Sequence, residues 1–533
     1  MNIQDLQIEI LDTTLRDGAQ GEGISFSVQD KLGIVRALDD LGVSWIEGGN
    51  PGSNPKDLEF FRRAEALDLK TARLCAFGAT RKKGIRPQED PFLKALLEAG
   101  TQGVVIFGKS WDLHVTEVLG AALDENLAMI AETVQYLKDQ GKIVIFDAEH
   151  FFDGWKGNPD YALGTLEAAA SAGADRLVLC DTNGGNFPET ITAGVRAALS
   201  AGSLGIHVHN DADLGTAGSL AGVLAGCEHL QGTLLGFGER CGNAALAAII
   251  PSLELKLARR CLPVGNLERL FEVTRRVAEI ANVGAPENMP YVGSHAFSHK
   301  AGMHSDGILK IRPSFEHIDP ALVGNRRRFL MSEVGGRAAI AERTKKLDPA
   351  VTKDHPAVRA LADQLKTLEA EGWQFEAADG SFDLLARRAL GKYRPLFKID
   401  AYRVVSEHPG DPGISCCYAW VKVRADGNQE IGAAEGPGPV NALDRALRKA
   451  LVPFFSNFDI EKVRLTDFKV RVIDGKDGTA AKVRVLIEST DGLETWTTVG
   501  VSEDIIEASR AALVDSLEYK LISVIERRFK GLF

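Results

Sequence analysis

The sequence has few cysteines, no cysteine pair of the CxxC type and no long apolar run. Its seven cysteines lie scattered at positions 75, 180, 227, 241, 261, 416 and 417, which is typical of reduced thiols. No apolar run reaches the ~18 residues of a membrane span. The first residues, MNIQDLQIEILDTTLRDG, lack the basic start and apolar core of a secretion signal. We therefore predict a cytoplasmic protein that neither enters a membrane nor carries structural disulfides.

Positive charge is also in deficit. The chain has 62 lysines and arginines against 73 aspartates and glutamates, a formal net charge of −11. This balance argues against nucleic acid or an anionic membrane as the main partner, so an anionic ligand would need a local basic pocket. With 533 residues, 45% hydrophobic and 25% charged, the composition is that of a globular protein of two or three domains.

Short β-type segments alternate with amphipathic helical segments over the first half of the chain. Eight segments have strand character: residues 8–14, 45–49, 73–79, 103–109, 142–148, 176–182, 204–210 and 230–238. VQDKLGIVRALDDLG and NLAMIAETVQYLKDQG are typical of the helices between them. Eight such repeats predict an α/β fold, a (β/α)₈ or TIM barrel. A doubly wound open sheet is the alternative, but no GxGxxG follows the first strand and the count of eight favours closure.

The pattern changes beyond residue 261. We predict a barrel over 1–261, a helical and irregular linker over 262–389, and an α+β domain over 390–533. The last part repeats itself at an offset of about 65 residues: YAWVKVRADG (418–427) resembles AKVRVLIESTDG (481–492), and NALDRALRKAL (441–451) resembles EASRAALVDSL (507–517). This repeat predicts two similar strand-strand-helix units in one pseudosymmetric domain.

Polar residues follow several of the predicted barrel strands, at the end where such barrels carry their function. They are Asp12, Arg16 and Asp17 after strand one, Glu149 on strand five, Thr182 on strand six, His207 and His209 on strand seven, and Glu239, Arg240 and Asn243 after strand eight.

The two histidines are the most informative of these residues. Residues i and i+2 of a strand point to the same face, so His207 and His209 share a side of the sheet. Asp17, from a strand close by in a closed barrel, would complete a two-histidine, one-carboxylate set with open coordination positions. The alternatives are hydrogen-bonded core histidines and a surface Arg16–Asp17 ion pair. Taken alone, Glu149 and Thr182 fit a structural role equally well.

Four motifs carry a family resemblance. LDTTLRDGAQGEGISFSVQDK, IHVHND, GFGERCGNAAL and SHKAGMHSDG together resemble the metal-dependent enzymes that condense acetyl-CoA with 2-oxo acids, the isopropylmalate, homocitrate and citramalate synthases. The resemblance covers nearly the whole chain. GAQGEGISFS and GGNPGSNPKD are most similar to the citramalate members, although Asn50 stands where a tryptophan is expected.

The resemblance implies roles for particular residues. Asp17, His207 and His209 would hold a divalent metal ion, Mg, Mn or Zn, with Asn243 as a ligand or beside one. Arg16 would donate to the alkoxide or enolate oxygen, and Thr182 would bind the acceptor's carboxylate. Either Glu149 or the linker residue His304 would remove the acetyl proton.

The resemblance also implies substrates and partners. They are acetyl-CoA and pyruvate, with isoleucine as feedback effector of a C-terminal regulatory domain, in a homodimer that serves isoleucine biosynthesis. Asp147 shares a strand face with Glu149, and a carboxylate there would line a pocket for an isopropyl group poorly. The alternatives are a 2-isopropylmalate or homocitrate synthase, a carbon-carbon lyase, which would lack residues 390–533, and a non-catalytic amino-acid sensor.

Overall fold

The computed structural model describes residues 7–284, 286–300, 304, 307–308, 310–329, 337–407, 416–458, 460–473, 478, 480–492 and 494–529. Packing divides the chain into two units. The first comprises residues up to Phe297 together with Ile318–Arg327, and the second comprises Ser298–His317 and Arg328 onward. The predicted linker segment is therefore shared between the two units. Among the described residues, no helix combines the length and the apolar character that crossing a membrane requires.

The first unit is a closed barrel of eight parallel strands, as the sequence predicts. The strands are β1 (Glu9–Asp12), β2 (Trp45–Glu47), β3 (Arg73–Ala79), β4 (Gly103–Lys109), β5 (Ile143–Glu149), β6 (Arg176–Asp181), β7 (Leu204–Val208) and β8 (His229–Gly232). They pair in chain order, and β1 closes on β8. The last strand is shorter than the predicted 230–238: after Gly232 the chain turns, and the N–H of Gly236 donates to the Thr233 carbonyl at 3.2 Å.

Helices surround the barrel. They are α1 (Val28–Leu41), α2 (Pro55–Ala64), α3 (Pro91–Glu98), α4 (Leu123–Asp139), α5 (Phe151–Gly157), α6 (Pro159–Ser171), α7 (Pro188–Ala198), α8 (Gly215–Ala225), α9 (Leu246–Lys256) and α10 (Leu270–Ile280). The boundaries of α1 follow from its caps. Ser27 and Asp30 form a reciprocal capping box at its start, and Gly42, with φ +92°, ends it.

The barrel interior is filled with side chains, as small barrels require. One apolar layer crosses it, formed by Leu11, Trp45, Cys75, Val105, Ile145, Val178 and Cys180. Trp45 fits because position 103 is glycine: a Cβ at Gly103 would lie 2.6 Å from Cζ3 of the indole. This layer separates a charged floor, at the amino ends of the strands, from the polar mouth described below.

The second unit begins with two short strands and three helices. These are β9 (Ser298–His299), β10 (Arg328–Phe329), α11 (Arg337–Thr344), α12 (Pro356–Ala370) and α13 (Asp379–Ala389). Apolar residues of α11, α12 and α13 form a core that also includes Val499 from the sheet that follows.

The rest of the second unit contains two similar halves. The first is β11 (Lys398–Glu407), β12 (Cys416–Ala425), β13 (Asn428–Gly436) and α14 (Pro439–Phe455); the second is β14 (Arg464–Val472), β15 (Val483–Thr490), β16 (Thr495–Ser502) and α15 (Ile505–Phe529). Both sheets are antiparallel and three-stranded. The repeat is confirmed, but the expectation of two strands in each half is wrong. The missed strands, β11 and β14, are sheet edges with largely exposed or half-exposed side chains, so their apolar pattern is weak.

A charged cluster forms the floor of the barrel. Glu9 Oε2 lies 3.0 Å from Nε of Arg176 and 3.5 Å from Nδ1 of His229, while Oε1 lies 3.5 Å from Arg73. The Arg73 guanidinium also covers the Trp45 ring, 3.9 Å from its centroid. His229 and Arg176 hold the pKa of Glu9 down, at about 2, against the opposing effect of burial.

We predict that Glu9→Gln lowers the free energy of unfolding at pH 7 by about 1–2 kcal/mol, because the pKa of Glu9 is depressed in the folded state. This stabilisation is complete above the unfolded pKa of about 4.5 and is lost as pH falls through about 2. The difference in melting temperature from wild type should therefore shrink between pH 5 and pH 2. Calorimetry measures it, with the exposed Glu59→Gln on α2 as control. A constant difference across this range would contradict the prediction.

Candidate active site and metal centre

A cavity of about 330 Å³ opens at the carboxyl ends of the barrel strands. Most of the residues singled out from the sequence line it: Arg16, Asp17, Asp147, Glu149, Thr182, His207, His209, Glu239 and Arg240. Gln20, Asn50, Phe77, Phe107 and Cys180 complete the wall. The barrel thus brings together side chains that are up to 224 positions apart in the chain.

Asp17, His207 and His209 form the centre of this site. The Asp17 Oδ2 atom lies 3.4 Å from Nε2 of His207 and 3.8 Å from Nε2 of His209. One candidate ligand atom from each residue falls within 4.8 Å of the others, and all three residues are buried. Because β1 pairs with β8 and β8 pairs with β7, the loop after β1 is only one strand away from β7.

The buried atoms of this centre fit a cation. Asp17 Oδ1 and Asn243 Oδ1 are buried with no hydrogen-bond partner among the described residues. Asn243 is held beside His209 by a backbone bridge, and its amide Nδ2 donates to the Phe237 carbonyl at 3.0 Å. Burial raises the pKa of Asp17, but Arg16 and the imidazole of His207 outweigh it and hold that pKa well below its usual range. An ionised carboxylate, imidazole nitrogens and an amide oxygen suit a divalent metal ion.

Arg16 is a buried cation beside this centre. Its Nε donates to Oε2 of Glu47 at 2.6 Å, and its Nη1 lies 3.5 Å from Asp17. The guanidinium stacks over Phe77, 3.8 Å from the ring centroid. The two carboxylates hold the pKa of Arg16 above its usual range despite burial. The alternative of a surface ion pair is wrong, because this arginine is fixed inside the barrel mouth.

Thr182 is oriented by its neighbours. Its Oγ1 accepts a hydrogen bond from the backbone N–H of His150 at 2.8 Å, and its carbonyl accepts one from Arg240 at 2.7 Å. Arg240 also holds Asp211, with contacts of 2.7 and 2.9 Å. Since the accepting side of the Thr182 hydroxyl is used, its own hydrogen can be donated into the cavity.

The two candidates for the base lie in different units. Glu149 lines the cavity and forms an ion pair with Lys109, which ends β4. His304 belongs to the second unit, where its imidazole is exposed and stacks on Phe315 with ring centroids 4.3 Å apart.

Three residues at or beside this site are not predicted from the sequence: Glu47, Lys109 and Gln231. Glu47 is completely buried at the end of β2 and is the acceptor for Arg16. Lys109 ends β4, and Gln231 lies in the middle of β8. Glu47 and Lys109 could have been predicted. Each is a charged residue at the carboxyl end of an apolar strand, which is the same position that made Glu149 a candidate.

Comparison with known families covers most of the chain. The sequence model of the HMGL-like family matches residues 7–277, which is the barrel with α10. The homocitrate synthase post-HMGL domain-like family matches residues 291–372, and the LeuA allosteric (dimerisation) domain family matches residues 376–521. Fold and site thus define an HMGL-like barrel joined to a LeuA-type C-terminal domain.

Individual relatives identify the family more closely than the domain matches do. A protein named (R)-citramalate synthase from Aquifex aeolicus is 50% identical, over 97% of this chain and 98% of its own length. Proteins with that name from Synechocystis sp. and Geobacter sulfurreducens are 48% and 46% identical, over 96% of this chain and 96% and 97% of their own lengths. The chain belongs to the family of the (R)-citramalate synthases.

We predict that Glu47→Gln destabilises the barrel by about 2 kcal/mol, because a buried guanidinium loses one of its two anionic partners. Calorimetry of Glu47→Gln, Arg16→Met and the double variant measures the coupling between the two side chains. We expect a coupling energy above about 1 kcal/mol. Additive effects would instead mean that Asp17 and Phe77 hold Arg16 without help from Glu47.

Proposed function

We propose that this chain condenses acetyl-CoA with pyruvate and water to give (R)-citramalate and CoA. One observation carries the proposal: relatives named (R)-citramalate synthase match the chain at 46–50% identity over nearly its whole length. The cavity at the barrel mouth supports it, since a cation site, a fixed arginine, a hydroxyl donor and a carboxylate meet there.

In this proposal Asp17, His207 and His209 bind a divalent metal ion, with Asn243 as a further ligand or beside one. When bound, the metal ion acts as a Lewis acid and template for the keto oxygen and carboxylate of the acceptor. The ligand set is compatible with Mg, Mn or Zn. The depressed pKa of Asp17 supports the assignment, because a carboxylate must be ionised to bind a cation.

Arg16 and Thr182 act on the oxygens of the substrates. Arg16 is held by Glu47 and stacked on Phe77, so it can donate to the alkoxide or enolate oxygen without first having to be ordered. Thr182 donates its hydroxyl hydrogen to the acceptor's carboxylate. Both groups are pre-oriented by protein contacts, which lowers the entropic cost of holding the substrates in a reactive geometry.

Glu149 removes the proton from the acetyl methyl group in this proposal. The ion pair with Lys109 holds the Glu149 carboxylate at the cavity wall, where a carboxylate can act as a base. His304 remains the alternative base. It lies in the second unit, so its use would require the region around residues 298–317 to reach a barrel mouth.

The choice of pyruvate as acceptor is supported by the cavity wall. Asp147 lies among Phe107, Cys180 and His207, and burial raises its pKa to about 7. A small methyl group leaves room for this polar carboxyl, whereas an isopropyl group would be pressed against it at a desolvation cost. Asp147 therefore favours pyruvate over a branched 2-oxo acid.

The C-terminal part has a regulatory role in this proposal, with isoleucine as effector, a homodimer as the assembly and isoleucine biosynthesis as the pathway. The match of residues 376–521 to the LeuA allosteric (dimerisation) domain supports it. The division into a barrel (1–261), a linker (262–389) that helps to complete the site and a regulatory domain (390–533) belongs to the same proposal.

The test of the reaction is thiol release from acetyl-CoA with pyruvate, 2-oxobutanoate, 2-oxoisovalerate and 2-oxoglutarate. We expect the highest kcat/KM with pyruvate, because Asp147 disfavours larger apolar groups. A chelator should abolish activity and a divalent metal salt should restore it. Highest activity with 2-oxoisovalerate would overturn the acceptor assignment, and activity unaffected by a chelator would overturn the metal site.

The base is tested by deuterium incorporation into the acetyl methyl group in D₂O, with an unreactive 2-oxo acid analogue in place of the acceptor. We expect Glu149→Gln to slow this exchange by about 10²–10⁴-fold, the usual contribution of a positioned base. His304→Ala should exchange at nearly the wild-type rate. Glu59→Gln and His295→Ala, both exposed, are the matched controls. Slow exchange in His304→Ala with normal exchange in Glu149→Gln would move the base to His304.

A further inference from the structure

A line of buried hydrogen bonds crosses the barrel interior and ends on one of the two histidines. Nε2 of Gln231 on β8 donates to Oδ1 of Asp147 on β5 at 2.9 Å. Oε1 of the same amide lies 3.0 Å from Nδ1 of His207 on β7. Gln231 is fully buried, and Asp147 and His207 are 4% and 5% exposed. Because β5 and β8 are not neighbours in the barrel, the Gln231–Asp147 bond spans the lumen.

The chemistry of the three groups fixes the direction of this line. The NH₂ group of Gln231 donates to Asp147, whose carboxyl oxygen can accept this hydrogen bond whether or not the group is protonated. The amide oxygen then faces His207, and an oxygen can only accept. Nδ1 of His207 must therefore carry the hydrogen. Its Nε2, the atom 3.4 Å from Asp17, is left with the lone pair that a metal ion needs.

His209 differs from its neighbour in this respect. Its Nδ1 is buried with no hydrogen-bond partner among the described residues, so nothing comparable fixes its tautomer. The two imidazoles lie in T-shaped contact, with centroids 5.1 Å apart. Buried hydrogen bonds therefore fix the tautomer of His207, whereas His209 is oriented by the packing of its ring.

We propose that Gln231 and Asp147 are positioning residues that fix the tautomer and ring orientation of His207 as a metal ligand. The inference rests on the proposed function, in which His207 binds the metal ion. Outer hydrogen bonds of this kind typically change metal affinity by about 10–100-fold. Neither residue belongs to the proposed ligand set, and both would act on the metal ion through the imidazole of His207.

The test is Mn²⁺ binding to the metal-stripped full-length protein, with free Mn²⁺ measured by electron paramagnetic resonance. Gln231→Met keeps the length and volume of the side chain but removes both hydrogen bonds. We expect it to weaken Mn²⁺ binding by about 10–100-fold. Leu230→Val is the matched control, a small core change on the same strand whose side chain packs on the opposite face. Circular dichroism and calorimetry show whether each variant is folded.

A double variant separates positioning from packing. In Gln231→Glu combined with Asp147→Asn, the amide introduced at position 147 can donate to the carboxylate introduced at position 231. That carboxylate can accept from Nδ1–H of His207, so the tautomer is kept although both side chains have changed. We expect Mn²⁺ affinity within about threefold of wild type, far from the loss in Gln231→Met. The visible spectrum of bound Co²⁺ should likewise match that of wild type.

The outcomes distinguish this inference from the function on which it rests. If wild type binds Mn²⁺ and Gln231→Met binds it equally well, the positioning role is overturned and the proposed function stands. If Leu230→Val loses as much affinity as Gln231→Met, or the double variant is not rescued, general loosening of the strand explains the loss and the positioning role is again overturned. If wild type itself binds no Mn²⁺, the metal site and the inference are both overturned.

Discussion

The pairing of β1 with β8 is the constraint on which the site depends. Glu9, Ile10, Leu11 and Asp12 lie in register with residues 229–232, and this closes the barrel. It brings the loop that carries Arg16 and Asp17 close to His207 on β7 and to His209 just after that strand. The same pairing places Glu9 beside His229 on the floor. One closure therefore sets both the charged floor and the polar mouth, with an apolar layer between them.

The burial of charged side chains is the second constraint, and it explains why the barrel mouth contains more carboxylates than the proposed reaction uses. Arg16 is removed from water, and a buried cation needs partners to remain inside. Glu47 and Asp17 supply them, but Asp17 is also the proposed metal ligand. Glu47 thus leaves Asp17 able to serve the metal ion, because it takes the shortest contact with the guanidinium.

The sequence predicts the barrel and its site well where a local pattern carries the information. Eight apolar segments separated by amphipathic helices define the strand order, and the i, i+2 spacing of His207 and His209 defines their shared face. Asp17 follows once strand one is known to be a neighbour of strand eight. In each of these cases the prediction depends on a pattern within a few residues of sequence, or only on the fact that the barrel is closed.

The features that could not be predicted from the sequence depend on contacts across the barrel, or on edge strands with little apolar pattern. The bond between Gln231 and Asp147 joins strands that are not neighbours, and no spacing along the chain reveals which lumen residues meet. The edge strands β11 and β14 carry mixed polar and apolar residues, so they resemble loops until pairing with β12 and β15 defines them.

Asp147 takes part in both acceptor selection and metal-ligand positioning in the proposed chemistry. Its carboxyl lines the cavity wall, where it disfavours a bulky acceptor, and it also anchors the amide that orients His207. Replacing it with an apolar residue would make room for a branched acceptor and would at the same time release Gln231 to rotate. A gain in acceptor range would then carry a loss of metal affinity. In this arrangement the choice of acceptor and the placement of the metal ligand share one side chain and cannot change independently.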